Sequence, residues 1–252
     1  MKQAQELTAE DIDAINRNLD KSSPQEILGW AFKTFAPDIV LACSFGGGSG
    51  MVLLDMAVRI YPQLRVFYLD TDLLFPETYA LRDEVARRYG ISPVGFKSRL
   101  TLAEQAAQHG DALWSRDPDL CCEIRKVEPN RRALEGERAW ISGIRRDQAS
   151  TRRDVQVVSW DTQFNLVKLA PLATWGETQI LDYIHEHGVP YNPLYDQGYL
   201  SIGCIPCTRV VKPGEDPRAG RWAGTDKIEC GIHLPGDGST TPVGQETTGG
   251  IR

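Results

Sequence analysis

Short apolar segments alternate with helical segments along most of this chain. Apolar runs with strand character occupy 39–42, 66–69, about 94–96 and 139–142. Helical patterning lies around them, at 7–35, from 51 onward, from 76 to about 89, at 101–109, at about 119–135 and at 176–187. Strands separated by helices pair in parallel, because a parallel connection needs a long crossover. The sequence therefore predicts an α/β fold, with a parallel twisted sheet and flanking helices, and the segments 155–159 and 165–169 are expected to form a hairpin or further strands.

The pattern changes from Gly188 onward, where proline, glycine, tyrosine and cysteine dominate and the periodicity fades. We therefore expect two parts, an α/β body over 1–210 and a flexible C-terminal segment over 211–252. The polar stretch 236–252 is rich in glycine and threonine and is expected to be mobile at its very end.

Charge and hydropathy exclude several classes of protein. The 28 basic and 34 acidic residues give a net charge of −6, which argues against a general nucleic-acid binder. No run approaches the roughly 20 apolar residues that cross a membrane, and the N-terminal residues are polar and acidic rather than leader-like. We expect a cytoplasmic protein with no nucleic-acid or membrane partner.

A glycine-rich turn lies between the first predicted strand and the next helix. It reads Ser44-Phe45-Gly46-Gly47-Gly48-Ser49-Gly50, with four glycines among seven positions. Glycines let backbone N–H groups approach an anion, and the following helix adds a favourable dipole, so the turn is a candidate phosphate site. It has neither the lysine of a Walker motif nor GxGxxG spacing, and a flexible turn without a ligand is the alternative.

Six cysteines provide the strongest chemical signal. In a reducing cytosol, clustered cysteines more often bind metal or take part in catalysis than form disulfides. The adjacent pair Cys121 and Cys122 and the CxxC pair Cys204 and Cys207 supply four thiolates, the number that an iron–sulfur cluster or a structural zinc takes. Adjacent helical side chains diverge by about 100°. That divergence favours a cluster with separate irons over a two-knuckle zinc site, and zinc stays as the alternative.

The two remaining cysteines differ in their surroundings. Cys43 follows an apolar run and is expected to be an inert core residue. Cys230 is a candidate nucleophile if basic neighbours lower the pKa of its thiol, and a partly buried thiol without a function is the alternative.

Basic residues cluster in three places of this acidic chain. The loop after the strand at 139–142 has four arginines within the nine residues 145–153, where open α/β sheets bind their ligands. Arg218 and Arg221, with Trp222, precede Cys230, and Lys126 lies about one helical turn after Cys122. These cations indicate a polyanion site, although a solvated run of charge is the alternative for the arginine loop.

Taken in order, these motifs resemble the assimilatory adenylyl-sulfate reductases. The matching runs are Cys121-Cys122-Glu123-Ile124-Arg125-Lys126, Gly143-Ile144-Arg145-Arg146-Asp147-Gln148, Cys204-Ile205-Pro206-Cys207 and Glu229-Cys230-Gly231-Ile232-His233. Leu69-Asp70-Thr71, followed by Leu74-Phe75-Pro76-Glu77-Thr78-Tyr79, is also similar to the family. The resemblance covers about residues 25–234.

The resemblance implies a fold, a reaction and a cofactor. The fold is adenine-nucleotide α-hydrolase-like and related to the PP-loop pyrophosphatases. The reaction reduces adenosine 5′-phosphosulfate (APS) to sulfite and AMP, with thioredoxin as the electron donor. Cys121, Cys122, Cys204 and Cys207 would hold a [4Fe–4S] cluster, and Cys230 would form a thiosulfonate intermediate. The family forms homo-oligomers, so we expect one here.

The resemblance also implies how the substrate is held. Lys126, Arg218 and Arg221 would neutralise the sulfate and phosphate oxygens, and Arg153 would contribute from the arginine-rich loop. The remaining contacts are expected from the backbones of Leu69 and Gly143 and from Ser44 at the glycine-rich turn. Relatives usually have an acidic pair in that turn, and the glycine–serine run here lacks any contact that those carboxylates make.

Three other functions compete with this interpretation. The nearest is a reductase of the 3′-phosphorylated substrate (PAPS), whose specialised members usually lack the four cluster cysteines. A PP-loop enzyme that adenylates its substrate with ATP is the second, and the absence of an SGGxDS-type turn counts against it. The third is a zinc-stabilised α/β binding module without catalysis.

Overall fold

The computed structural model describes residues 7–19 and 21–233. Its strands are β1 (Ile39–Ala42), β2 (Arg65–Asp70), β3 (Val94–Lys97), β4 (Ala139–Ser142), β5 (Val158–Asp161) and β6 (Leu166–Leu169). Its α-helices are α1 (Ala9–Leu19), α2 (Pro24–Phe35), α3 (Gly48–Ile60), α4 (Pro76–Tyr89), α5 (Leu102–His109), α6 (Leu113–Arg116), α7 (Pro118–Cys122), α8 (Glu128–Ala133) and α9 (Glu177–His187). The predicted α/β alternation is confirmed.

The strands form one six-stranded sheet in the order β3-β2-β1-β4-β6-β5. Strand β1 pairs in parallel with β2 on one side and with β4 on the other, so Leu41 lies opposite both Val66 and Ile141. The segments expected to form a hairpin or further strands form a hairpin: the edge strand β5 is antiparallel to β6, with Val158 opposite Leu169, and the other strand pairs are parallel. The connection between β5 and β6 is a short turn, and a turn of that length joins antiparallel strands only.

Apolar packing covers both faces of the sheet. Leu41 and Ile141 belong to the larger core cluster, which helices α2, α3 and α9 complete. Val40 and Trp140 point to the opposite face and form a smaller cluster with residues of β2, α8 and β6. Burial on both faces explains why β1 and β4 read as continuous apolar runs rather than as alternating ones.

The helical patterning over 7–35 divides into two helices with separate N-terminal caps. Thr8 Oγ1 accepts a hydrogen bond from the Asp11 N–H at 3.2 Å. Ser23 and Glu26 form a capping box at the start of α2, in which each side chain accepts from the other's backbone N–H. The capping box satisfies free N–H groups of the first turn, and so fixes where α2 begins.

The predicted helix over about 119–135 is also interrupted. Between α7 and α8 the chain forms a π-helical turn, Glu123–Val127, in which the Glu128 N–H donates to the carbonyl of Glu123, five residues earlier. Such turns contain one residue more than an α-helical turn and recur at functional sites.

Beyond α9 the described chain consists of loops and single 3₁₀ turns, among them Tyr195–Gln197 and Ile205–Cys207. The predicted boundary between 210 and 211 stays a prediction. The stretch 236–252, predicted to be mobile, lies outside the described residues. Within residues 7–19 and 21–233, no helix is long and apolar enough to cross a membrane.

Candidate active site

A cavity of about 280 Å³ opens where β1, β2 and β4 end. The chain runs outward from β1 through β2 to β3 and returns to β4 on the other side of β1, so the cavity lies at the switch point of the sheet, where α/β folds bind ligands. The loops of the C-terminal part form the facing wall. The cavity is lined by seven of the eight residues predicted for catalysis or substrate binding: Ser44, Leu69, Lys126, Gly143, Arg218, Arg221 and Cys230.

The eighth predicted residue, Arg153, is exposed and does not line the cavity. Its neighbour Arg152 is buried and does line it. The 3₁₀ turn Ser150–Arg152 ends between the two residues, and the backbone there directs only one of them inward. A role for Arg153 stays a prediction.

The arginine-rich loop therefore divides into different environments. Arg145 is 3% exposed and binds Asp147, Glu177 and the hydroxyl of Ser49, so it fixes the loop to the start of α3. Arg146 is exposed and donates to the carbonyl of Val155 at 2.7 Å. Neither arginine lines the cavity. Neither alternative therefore holds for the whole arginine-rich loop: Arg152 lines the cavity, whereas Arg146 and Arg153 are exposed to solvent.

The glycine-rich turn packs closely against the loop that precedes Cys204. A Cβ placed on Gly46 would lie 2.9 Å from the carbonyl oxygen of Ile202, which leaves no room for a side chain there. Helix α3 starts two residues later with Gly47 as its N-cap, and no side chain caps it. Gly47, Ser49 and Gly50 of this turn line the cavity, a position compatible with phosphate binding at the start of the helix.

Four cations surround the ring of Trp222. The ring centre lies 4.4 Å from Arg221 Cζ, 5.7 Å from Lys227 Nζ, 5.8 Å from Lys126 Nζ and 5.9 Å from Arg218 Cζ. Trp222 is 4% exposed and has a left-handed backbone, with φ of 47°. The negative face of an indole attracts cations. Trp222 therefore holds together charges that would otherwise repel one another.

Burial and neighbouring charge act in opposite directions on two of these cations. Burial lowers the pKa of Arg218 to about 10, helped by Arg152, although Glu229 works against the shift. Burial also opposes the charge of Lys126, but the thiolate forms of Cys204, Cys230 and Cys122 outweigh it and raise the lysine pKa above its ordinary value. Both side chains remain cationic at neutral pH.

Cys230 is partly buried and lines the cavity, within a segment that several contacts hold in place. Its neighbour Glu229 binds Arg152 and Arg218, and Lys227 pairs with Asp119 on α7. Beyond it, Ile232 packs on the smaller core cluster and His233 stacks on Trp140 with a ring separation of 5.6 Å. Sequence reasoning missed the contacts of Glu229 and His233, because their partners lie far away along the chain.

The four clustered cysteines meet around a second, smaller cavity of about 10 Å³. Cys121 and Cys122 come from the end of α7, and Cys204 and Cys207 flank the last 3₁₀ turn. Cys204 also lines the large cavity, so the two sites share a wall. Burial, with the charge of the neighbouring thiols, raises the pKa of Cys121 and of Cys207 to about 11.

Four thiols and one buried guanidinium line the second cavity, a donor set compatible with an anionic sulfur cluster. The guanidinium belongs to Arg125, which is 1% exposed, donates through Nη1 to the carbonyl of Thr71 and lies 3.5 Å from Asp72 Oδ2. The Nε and Nη2 atoms of Arg125 have no hydrogen-bond partner. Buried, unpartnered guanidinium nitrogens beside four thiols fit a ligand that carries negative charge. Within residues 7–19 and 21–233, no three His, Cys, Asp or Glu side chains are placed as ligands of one metal ion.

Comparisons with known proteins place the chain among similar sequences of one family. Residues 38–210 match the sequence family described as the phosphoadenosine phosphosulfate reductase domain. An adenosine 5′-phosphosulfate reductase of Salinibacter ruber is 45% identical over 221 residues, which are 87% of each chain. Adenosine 5′-phosphosulfate reductase 2 of Bacillus subtilis is 46% identical over 82% of this chain and 88% of its own.

Solved structures support the same fold. The crystal structure of a phosphoadenylyl-sulfate (PAPS) reductase from Candida auris, in complex with phosphate, superposes with a TM-score of 0.73. It is 35% identical and covers 83% of this chain and all of its own. An FMN adenylyltransferase from Candida glabrata has a TM-score of 0.55 at 19% identity and covers 82% of this chain and 70% of its own, a similarity of fold alone.

Proposed function

The chain belongs to the phosphoadenosine phosphosulfate reductase family, and from that premise we propose that it reduces APS to sulfite and AMP with thioredoxin as the electron donor. The observation that carries the proposal is the position of Cys230. This thiol lines the cavity at the switch point of the sheet, together with Lys126, Arg218 and Arg221. A thiol among fixed cations is arranged to attack an anionic electrophile.

The first step is nucleophilic attack by the Cys230 thiolate on the sulfate sulfur of APS. A sulfur–sulfur bond forms as the bond from that sulfur to the phosphate oxygen breaks, and AMP leaves with the electron pair. The product on the enzyme is a thiosulfonate. Lys126, Arg218 and Arg221 neutralise the negative charge that gathers on the sulfate and phosphate oxygens.

The second step returns the enzyme to its starting state. A thioredoxin thiolate attacks the Cys230 sulfur, and sulfite leaves with the electron pair of the broken sulfur–sulfur bond. The second thioredoxin thiolate then attacks the thioredoxin sulfur of the mixed disulfide and releases the Cys230 thiolate. Two electrons pass from thioredoxin to the sulfur of the substrate, and thioredoxin becomes a disulfide.

The rest of the cavity orients the nucleotide. Ser44, Leu69 and Gly143 line it at the strand ends, where open α/β sheets bind their ligands. We assign Arg152 to the substrate as well, since it lines the cavity beside Arg218, and Arg153 would reach it only by a change of the loop.

We further propose that Cys121, Cys122, Cys204 and Cys207 hold a [4Fe–4S] cluster. The support is the meeting of all four thiols at one small cavity, beside the unpartnered nitrogens of Arg125. When bound, the cluster supplies a structural link between α7 and the loop at 204–207 and an electrostatic field, rather than electrons for the reaction. Lys126 lines both cavities and so lies between this site and the substrate.

Intact-protein mass spectrometry tests the reaction. The protein is incubated without oxygen or reductant with APS and, separately, with PAPS, and Cys230→Ser serves as the control. We expect an adduct of the mass of sulfite from APS, no adduct on the variant, and release of the adduct by thioredoxin.

Other outcomes would redirect the proposal. Equal labelling from both nucleotides would keep the mechanism and widen the substrate class. Absence of an adduct on protein that contains iron and acid-labile sulfide would refute Cys230 as the nucleophile. Stoichiometric zinc without iron, and an unreactive Cys230, would favour the binding module.

A further inference from the structure

The carboxylate of Glu229 joins the residue before Cys230 to two arginines of the cavity wall. It accepts hydrogen bonds from Nε and Nη2 of Arg152, both at 2.7 Å, and from Nη2 of Arg218 at 3.1 Å. The hydroxyl of Thr151 donates a fourth bond at 3.0 Å. The Glu229 side chain is 9% exposed, and those of Arg152 and Arg218 are 10% and 15% exposed. The group is therefore a buried, charge-assisted cluster.

This cluster restrains the backbone directly before Cys230, while Ile232 and His233 hold the chain beyond it. Adjacent Cα atoms are about 3.8 Å apart, so a fixed Glu229 carboxylate leaves its neighbour little freedom. The other ion pair of the segment, Lys227 with Asp119, is weaker, since the Asp119 side chain is 81% exposed. Arg218 also donates to the carbonyl of Ile228 at 2.9 Å, which adds a backbone contact on the same side.

The proposed reaction makes two opposing demands on this segment. Cys230 must lie inside the cavity to attack the substrate, yet its sulfur must be reached by a second protein. A buried ion pair resists opening, because separation leaves Arg152 and Arg218 as neighbouring cations without their counter-charge. The Glu229 carboxylate thus favours attack by Cys230 inside the cavity and hinders access of the second protein to its sulfur.

We propose that Glu229 is a positioning residue, whose ion pairs with Arg152 and Arg218 form a latch that keeps Cys230 in the cavity. This inference rests on the proposed function for its role in turnover. The latch itself is a property of the free protein, and is tested there without any substrate.

The test compares Glu229→Gln with a matched control, Glu215→Gln. Glu215 also accepts two hydrogen bonds from one arginine, Arg209, at 2.8 and 3.1 Å, and it does not line the cavity. Cys230 is alkylated with iodoacetamide without oxygen or substrate, and the rate is followed by peptide mass spectrometry. Rates are followed from pH 7 to pH 9, where Arg152 and Arg218 stay cationic, and the intrinsic rate of the thiolate is taken from the fit of each pH profile.

We expect this intrinsic rate to rise about tenfold or more in Glu229→Gln, since a lost charge pair in a buried site changes an equilibrium by at least that factor. Glu215→Gln should alkylate at the wild-type rate. Arg152→Gln should give a similar rise, and the double variant with Glu229→Gln little more, because both changes open one latch. Alkylation of Glu229→Gln at the wild-type rate would overturn the proposal.

Single-turnover kinetics separates positioning from a general structural role. In Glu229→Gln, thiosulfonate formation from APS should slow about tenfold, while sulfite release from the isolated thiosulfonate by thioredoxin should not slow. A fall of both rates together with the iron content and the melting temperature would mean a structural role and refute the latch. If the wild type forms no thiosulfonate, the proposed function fails, and the alkylation comparison still decides on the latch.

Discussion

The hydroxyl of Thr71 lies 3.2 Å from the Sγ atom of Cys204, and this contact joins the end of β2 to the cysteine cavity. Thr71 lines the substrate cavity, and its carbonyl accepts a hydrogen bond from the buried Arg125. Cys204 lines both cavities. Any ligand of the cysteines is therefore one side chain away from the end of β2 and from the large cavity that it lines.

Cys204→Ser should lower both cofactor content and substrate binding. Loss of one of the four proposed thiolate ligands should destabilise the proposed cluster, and the wall that Cys204 shares with the large cavity would lose that support. We expect iron and acid-labile sulfide to fall below half of the wild-type content and APS binding to weaken by about tenfold. Cys230→Ser should do the reverse, keeping iron and sulfide while abolishing the thiosulfonate. Full iron content in Cys204→Ser would remove this cysteine from the ligand set.

Trp222→Leu should raise the KM for APS by about tenfold, with a smaller change in kcat. The indole ring is within 6 Å of four cations, each contact contributing about 0.5–2 kcal/mol, and leucine has no negative face to hold them. The KM of Trp222→Phe should lie between those of the wild type and of Trp222→Leu. Steady-state kinetics measures both constants. Trp30→Phe is the control, because Trp30 packs on Phe35 and does not line the cavity. An equal rise in KM for Trp30→Phe and Trp222→Phe would refute the role of the Trp222 ring.

Gly46→Ala should destabilise the fold by about 1–3 kcal/mol, since its new methyl group would meet the Ile202 carbonyl at 2.9 Å. Gly47→Ala is the matched control, because nothing lies within 4 Å of its Cβ position and its φ of −138° suits any residue. Denaturant unfolding of the two variants should differ accordingly, with Gly47→Ala within about 1 kcal/mol of the wild type. Equal stability would show that the 200–203 loop yields to the methyl group.

Asp55→Asn should cost about 2 kcal/mol of unfolding free energy at pH 7. The buried carboxylate accepts hydrogen bonds from Arg59, Tyr89 and Tyr183, the tyrosine bonds being 2.8 Å long. Burial alone would raise the pKa of Asp55, but these bonds outweigh it and hold the pKa below 3.8.

The pH dependence follows from that depressed pKa. The stabilisation by Asp55 is complete above pH 3.8 and is lost as the pH falls through the lower folded-state value. The difference between wild type and variant should thus be constant from pH 8 to pH 5 and shrink only in stronger acid. Denaturant unfolding at each pH measures it, and a difference that already shrinks between pH 7 and pH 5 would contradict the assignment to this carboxylate.

The strands and the cavity could be predicted from the sequence because their signals are local. Strands β1 and β4 have the predicted bounds, since each is an apolar run that ends at a polar turn. The start of α2 is marked by a local signal as well, since Ser23 is followed three residues later by Glu26. The direction of β5 could not be predicted, because the segment 155–159 is equally compatible with a hairpin and with a further parallel strand.

Part of the site lay beyond sequence reasoning for a physical reason. Arg152 and Arg153 are adjacent residues of the same type, so the sequence does not distinguish them. The 3₁₀ turn that ends at Arg152 decides which of the two side chains is buried. The ion pair between Glu229 and Arg152 joins residues that are 77 positions apart, so no spacing rule reveals it. A usable signal was the acidic residue directly before a candidate nucleophile, in a chain with several unassigned arginines.

The π-helical turn Glu123–Val127 makes this site sensitive to the length of the chain as well as to its composition. Removal of one residue there would restore α-helical pairing and rotate everything on one side by about 100° relative to the other. The two cysteines of α7 and the lysine that follows them would then no longer face their present cavities. Insertions and deletions should accordingly be rare between Cys122 and Asn130 among functional descendants of this chain, even where point substitutions accumulate.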